Sequence, residues 1–382
     1  MKFKIIFLFI IFELISLLYI ISTGEYNSDY LHQNVKNPLY IVAIINSVII
    51  FLYLFYYFIW ESIGFLCKRL KLKNLNTPNL NILFFILSIL YLFFYLRTGI
   101  GKAGSENPEL SIFDKIIFIP IIISKFNFLI FIYAAANKHK SKLYYSTLVI
   151  FIFTEILRGI SFPILIIGML ESKLIFDKLK KINPIIVILL FILFINIIYN
   201  LKYYARLDYS YQYIDIFTTL SMFVGRLSLT SNLNYLIEHI SPISYMIESN
   251  FNYSSINEFL EKLTPAPSIF GIHEKVIEFG KLIFYFNFNH LGSATASSVL
   301  GITLIIPEQL LTISVILTIS MIYCNLITRI ISSSYQQNCV AFIIMFLTLY
   351  QGFWGLLANY LYAITFYLFM LIVLNLLGKK ND

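Results

Sequence analysis

The chain has 382 residues, of which 59% are hydrophobic and only 13% charged, with a mean hydropathy of +0.81 and a formal net charge of +8. Those proportions exclude a water-soluble globular domain and describe a polytopic membrane protein. The only cysteines, Cys67, Cys324 and Cys339, are too few and too scattered for a disulfide framework or a thiolate metal site, and the chain contains no phosphate-binding glycine loop, no HExxH and no basic nucleic-acid module.

In chain order, the amino terminus "MKFKIIFLFIIFELISLLYIIS" has the basic start of a signal peptide. Its apolar run continues from Phe3 to about Ser22, contains Glu13 and lacks a small-x-small cleavage site, which favours a retained first membrane helix. Apolar runs of about 20 residues then predict helices near 38 to 59, 79 to 97, 116 to 136, 143 to 157, 160 to 176, 183 to 201, 308 to 328, 338 to 352 and 356 to 377. The expected fold is an all-α polytopic membrane protein of about ten transmembrane helices, forming one integral membrane domain over residues 1–382.

Lysine and arginine in the short connections set the orientation. Lys2 and Lys4, "CKRLKLK" at 67 to 73, "KHKSK" at 138 to 142, "KLKK" at 178 to 181, Arg329 and the terminal "GKKND" fall on one side. That side is expected to be the cytoplasm, with both termini there. The opposite side receives a large loop, residues 202–307, too long to be a bare connection. Within it "SSINEFLEKL" carries a capping-box signature, Ser255 with Glu258 three residues on, which predicts short surface helices.

Four of the six arginines, Arg97, Arg158, Arg206 and Arg226, fall on the external side, against the bias the lysines obey. The rigid guanidinium fork matches phosphate and carboxylate oxygens two at a time, so arginines around a membrane mouth suit a lipid-linked diphosphate. The competing reading for each is a snorkelling interfacial residue, for Arg97 above all because it ends a helix. Arg158, in "EILRGISF", is placed at the tip of a helical hairpin with Glu155 one turn earlier, able to hold or compete for the guanidinium. Lys125 is the main cation expected within the membrane.

In "FVGRLSLTSNLNYL", Ser228, Thr230, Ser231, Asn232 and Asn234 surround the region of Arg226 with groups suited to sugar hydroxyls, or form the polar side of an ordinary amphipathic helix. In "FNHLGSATASSVLG", His290 precedes a run of small residues and is a candidate general base. His239, His273, Glu238 and Glu274 compete for that role, and for the histidines the alternative is a solvated loop side chain.

Together, the "RG" at the tip of a central hairpin, the large external loop with "GRLSL", and "GSATASSVLG" entering the next helix resemble the O-antigen polymerase (Wzy) family. The resemblance implies a bacterial inner-membrane glycosyltransferase, metal-independent and without a cofactor. Its substrates would be undecaprenyl-diphosphate-linked oligosaccharide repeats on the periplasmic side, with membrane lipids around it and a chain-length regulator as a possible partner. Arg158 and Arg226 would fall at the family's arginine positions, and His290 corresponds more closely to the related O-antigen ligases. The expected roles are catalytic for His290, Arg226 and Arg158, with Arg97, Arg206, Glu155, Ser228 and Asn232 completing the binding site for the lipid diphosphate and glycan. An O-antigen ligase and a lipid-linked oligosaccharide flippase are the alternatives, the latter disfavoured because its cations should line a path through the membrane.

Overall fold

A computed structural model describes residues 1–27, 30, 33–70, 72, 75, 77–102, 110–160, 162–172, 182–207, 212–251, 253–264, 276–289, 291, 294–331 and 334–378. The regular structure of these residues is helical. Among the described residues there is no strand, only isolated bridges at Glu25–Asn34 and Leu75–Ile331.

Among the described residues six helices are long and apolar enough to cross a membrane: α1 (Lys2–Thr23), α2 (Leu39–Lys68), α3 (Asn81–Thr98), α9 (Pro184–Leu207), α16 (Gln309–Ile330) and α18 (Trp354–Gly378). They coincide with six of the ten expected spans. The remaining expected spans fall on helices that are shorter or more polar, and the end of the expected 160 to 176 span lies outside the described residues. The expected 116 to 136 span is divided among α4 (Ile112–Ile117), α5 (Ile119–Ser124) and α6 (Phe126–Ala136), with Lys125 in the left-handed region at φ 46° between the last two. α7 (Lys142–Leu157) and α8 (Phe162–Leu170) follow, and α17 (Ser334–Gln351) carries Gln336, Gln337 and Asn338 in its first turns.

The burial pattern explains why these helices need lipid. On α1 the inward stripe is Ile5, Ile6, Phe9, Glu13, Ser16 and Ile20, while Phe3, Phe7, Leu14 and Leu18 face outward. α2 turns Asn46 and Tyr53 inward and Ile44, Phe51 and Phe58 outward; α3 buries Asn81, Ser88 and Tyr91 and exposes Ile82, Ile86 and Phe93. Large apolar side chains on the outer surface with polar groups within suit a hydrocarbon solvent, where an unpaired polar group is the costly one. The chain is a multi-pass membrane protein.

The described residues between 202 and 307 are largely helical: the end of α9, then α10 (Ile216–Arg226), α11 (Thr230–Glu238), α12 (Ile240–Asn250), α13 (Ser255–Leu263), α14 (Phe279–Phe288) and α15 (Ser298–Ile305). The cap of α13 is Ser254, whose hydroxyl accepts from the Asn257 N–H at 3.5 Å, one residue earlier than the expected Ser255. That one-residue shift matters because it turns both Ser255 and Glu258 inward, where they are fully buried.

Two compact units divide the chain. One comprises Met1–Lys71, Leu220–Leu326 and Ala341–Ala358, the other Leu72–Thr219, Ile327–Val340 and Asn359–Asp382. In the first, α1 packs on α2, and α11 lies against both and against α15; in the second, α3 packs on α7, which also meets α8 and α9.

Candidate functional site

Arg158 lies in the second unit as the C-cap of α7. Gly159 at φ 73° reverses the chain towards α8, a left-handed conformation that glycine adopts without a Cβ penalty. Arg158 thus lies between α7 and α8, at the end of one helix and four residues before the start of the next. The guanidinium does not project freely: its side chain is 12% exposed, Nη1 donates to Glu155 Oε1 at 2.6 Å and to the Tyr91 hydroxyl, and Cζ stands 5.5 Å from the Tyr91 ring centroid. Tyr91 in turn donates to Glu155 at 2.5 Å, closing a triangle of two helices in which the carboxylate is fully buried. The Tyr95 hydroxyl donates to the Leu157 carbonyl at 2.7 Å and ties the same turn to α3. Arg158 Nε is buried with no hydrogen-bond partner among the described residues. The planar fork is clamped through Nη1, and its buried Nε–H is a donor of the kind that pairs with carboxylate and phosphate oxygens.

Arg97 ends α3 with a side chain 48% exposed, bonding Asp114 at 2.5 Å and lying over Phe113. The hydroxyl of Ser111, then the Arg97 guanidinium, hold the Asp114 carboxyl below the usual carboxylate range. Helix α9 includes Arg206, whose side chain lies outside the described residues. His290, His273 and Glu274 lie outside them as well.

Arg226 lies in the first unit, as the last residue of α10. Its carbonyl accepts from the Tyr350 hydroxyl at 2.7 Å, and its side chain is half-buried. The following turn is held by Glu13, from α1. That carboxylate accepts from the Tyr53 hydroxyl at 2.6 Å, the Ser228 hydroxyl at 2.7 Å, the Leu229 N–H at 2.8 Å, the Thr230 N–H at 3.1 Å and the Thr230 hydroxyl at 2.7 Å. Leu229 and Thr230 begin α11, so the carboxylate takes two of the amide groups that a helix start leaves without intrahelical partners. Asn46 adds bonds to the Glu13 carbonyl at 3.0 Å and to Thr230 Oγ1 at 2.7 Å.

The polar residues expected around Arg226 are therefore drawn into packing. Ser228 is fully buried, its proton committed to Glu13. Asn232 is 1% exposed, its amide donates to the Ala296 carbonyl at 2.9 Å, and its buried Oδ1 has no partner among the described residues. Ser231 bonds Asn27, and Asn234 donates to the Thr230 carbonyl at 2.7 Å. The small-residue run is a packing seam: the Thr295 N–H donates to Gly280 O and the Ser297 N–H to Gln351 O, both at 3.0 Å.

Of the competing acids and imidazoles, Glu238 accepts from the Lys36 and Asn37 N–H groups at 2.7 Å each, while His239 stacks on Tyr235 at 4.2 Å with Nδ1 2.9 Å from the Tyr235 carbonyl. Glu258 accepts from the Tyr253 hydroxyl at 3.0 Å, the Phe279 N–H at 3.4 Å and the Trp354 N–H at 3.2 Å, so it caps α14 and α18 at once. Burial first, then the charge of Glu278, push its pKa up to about 8.

Three residues outside the sequence-based set thus organise the sites: Tyr91, Glu13 and Glu258. Glu13 had a visible signal, as the only acid in the first apolar run. Tyr91 had none among 28 tyrosines. Comparison with protein-family models, curated proteins and solved structures gives no match.

Proposed function

We propose that this chain is a bacterial surface-polysaccharide polymerase of the O-antigen polymerase type. It spans the inner membrane about ten times with both termini cytoplasmic, and residues 202–307 form the large periplasmic loop. The donor is a growing glycan on undecaprenyl diphosphate and the acceptor a single repeat unit on the same lipid. The acceptor's terminal hydroxyl oxygen forms the new bond to the anomeric carbon, the bond from that carbon to the diphosphate oxygen breaks with its electron pair, and undecaprenyl diphosphate leaves. The hydroxyl proton passes to a base, for which His290 is the candidate.

The observation that carries this reading is the state of Arg158: a clamped guanidinium at a hairpin tip, with Nε buried and uncommitted among the described residues. Such a group can stabilise negative charge growing on a leaving diphosphate with little reorganisation. Arg226 also binds lipid diphosphate, Arg206 and Arg97 assist in binding, Glu155 and Ser228 support rather than touch the substrate because their polar groups bond within the protein, and Asn232 is 1% exposed and held through its amide by Ala296. The external excess of arginine over a lysine-rich opposite side supports the same orientation.

The test is a gel of surface polysaccharide from a strain lacking the gene, beside its complemented parent, with undecaprenyl-linked glycans measured in parallel. Core carrying one repeat without a ladder is the expected result. Bare core with long chains still on undecaprenyl would identify a ligase, single repeats trapped inside a flippase, and an unchanged ladder would overturn the reading.

A further inference from the structure

Glu13 is a carboxylate placed within the first apolar span, where a charge is tolerated only when several donors meet it. Five donor groups do, and four of them belong to three consecutive residues, Ser228, Leu229 and Thr230. Arg226 lies two residues before that group. Its own carbonyl is fixed by Tyr350, and Tyr350 packs at 5.3 Å against Phe9, one helical turn before Glu13 on α1. Tyr53, the remaining donor to Glu13, meets Phe346 at 5.0 Å, and Phe346 meets Phe9 at 4.8 Å. The short segment from Arg226 to Thr230 is thus held at both ends by one connected cluster centred on α1.

Resting on the polymerase reading above, we propose that Glu13 is a positioning residue for the diphosphate subsite: its carboxylate sets the 226–230 turn and thereby the point from which Arg226 reaches its ligand. The choice of side chain supports this. Five donors, three hydroxyls and two N–H groups, converge at position 13, where a hydroxyl or an amide oxygen offers about two acceptor sites and a carboxylate about four, so the carboxylate comes nearest to serving them all. Each added bond removes freedom from the turn, and a displacement of about 1 Å at a positioning element can cost about 10²-fold in rate.

The experiment is a double-mutant cycle on the full chain, purified and reconstituted in phospholipid nanodiscs, with initial polymerisation rates measured against the concentration of undecaprenyl-diphosphate-linked repeat unit. Glu13→Gln is nearly isosteric but loses the charge and half the acceptor capacity. The expected result is a drop in kcat/KM of up to about 10²-fold for Glu13→Gln, a further drop for Arg226→Ala, and a double variant no slower than Arg226→Ala alone. Losses that multiply in the double variant would overturn the proposal, because general damage to the fold lowers activity whether or not Arg226 is present. Wild-type kinetics in Glu13→Gln would overturn it equally. If Glu13→Gln does not yield folded protein, Thr230→Val, which removes one donor at similar volume, enters the cycle with the same two readings. A wild-type protein that polymerises nothing would instead remove the functional reading itself, and the proposal with it.

Discussion

Gly101 and Arg158 occupy adjoining space so closely that the glycine's missing side chain is part of the guanidinium's seat. A Cβ at position 101 would collide with the guanidinium, coming within 2.9 Å of both Cζ and Nε, and Gly101 has φ +82°. Gly101→Ala therefore displaces the arginine and strains the turn at once. The expected outcome is a loss of polymerisation of up to about 10²-fold with the protein still folded, read from initial rates beside a size-exclusion profile. Unchanged rates would show that Arg158 acts from some other position.

The triangle of Arg158, Glu155 and Tyr91 separates charge from geometry. Arg158→Lys keeps the charge but loses the planar fork and the Tyr91 face, so activity should fall by about 10² to 10³, as for removal of one preorganised donor. Glu155→Gln leaves a largely buried guanidinium without its counter-charge, and breaking such a pair costs about 3 to 5 kcal/mol. The first should appear in rates, the second also in the thermal midpoint in detergent. A Glu155→Gln protein as stable as its parent would contradict the buried pair.

The sequence reveals what is written at short range. The amphiphilic layout of α1, the turn at Arg158–Gly159 and the helical content of residues 202–307 follow from apolar runs and local turn chemistry. What escapes is long-range pairing. Glu13 and Ser228 are 215 positions apart, and nothing local to either marks a hydrogen bond between them. Ser228 and Asn232 look like sugar-binding groups because small polar residues have the same letters whether they face water or a buried carboxylate. Likewise Ser254 and Ser255 compete as caps by identity alone, and only the burial of Glu258 decides between them.

Glu258 predicts a pH dependence of stability. Its pKa is raised from an ordinary carboxyl's near 4.5 to about 8 in the folded protein, so between those values the folded state binds more protons than the unfolded one. Its contribution is fully present below about pH 4.5, falls as pH rises through the window and levels off above about 8. Thermal midpoints in detergent should decline over that range, and Glu258→Gln should flatten the decline. The variant need not be more stable, because its single amide oxygen cannot serve both the Phe279 and Trp354 N–H groups. An identical slope in parent and variant would place the titration elsewhere.

Lys125 divides α5 from α6 at φ 46° and ψ 57°, where a side chain normally costs about 1 to 2 kcal/mol. Its ammonium donates to Asn359 Oδ1 at 2.6 Å and lies 4.9 Å from the Tyr362 ring centroid, contacts that offset the strain. Two substitutions separate the contributions. Lys125→Ala loses the contacts and keeps the strained backbone, whereas Lys125→Gly loses the contacts and relieves it. Glycine should therefore be the more stable variant by about 1 kcal/mol, the reverse of the order found inside a continuous helix, where alanine wins by about 0.8 to 1.0 kcal/mol. Thermal unfolding of the two variants side by side reads the sign directly. Alanine above glycine would mean that residues 119–136 form one unbroken helix, and glycine above alanine that the break is built into the backbone.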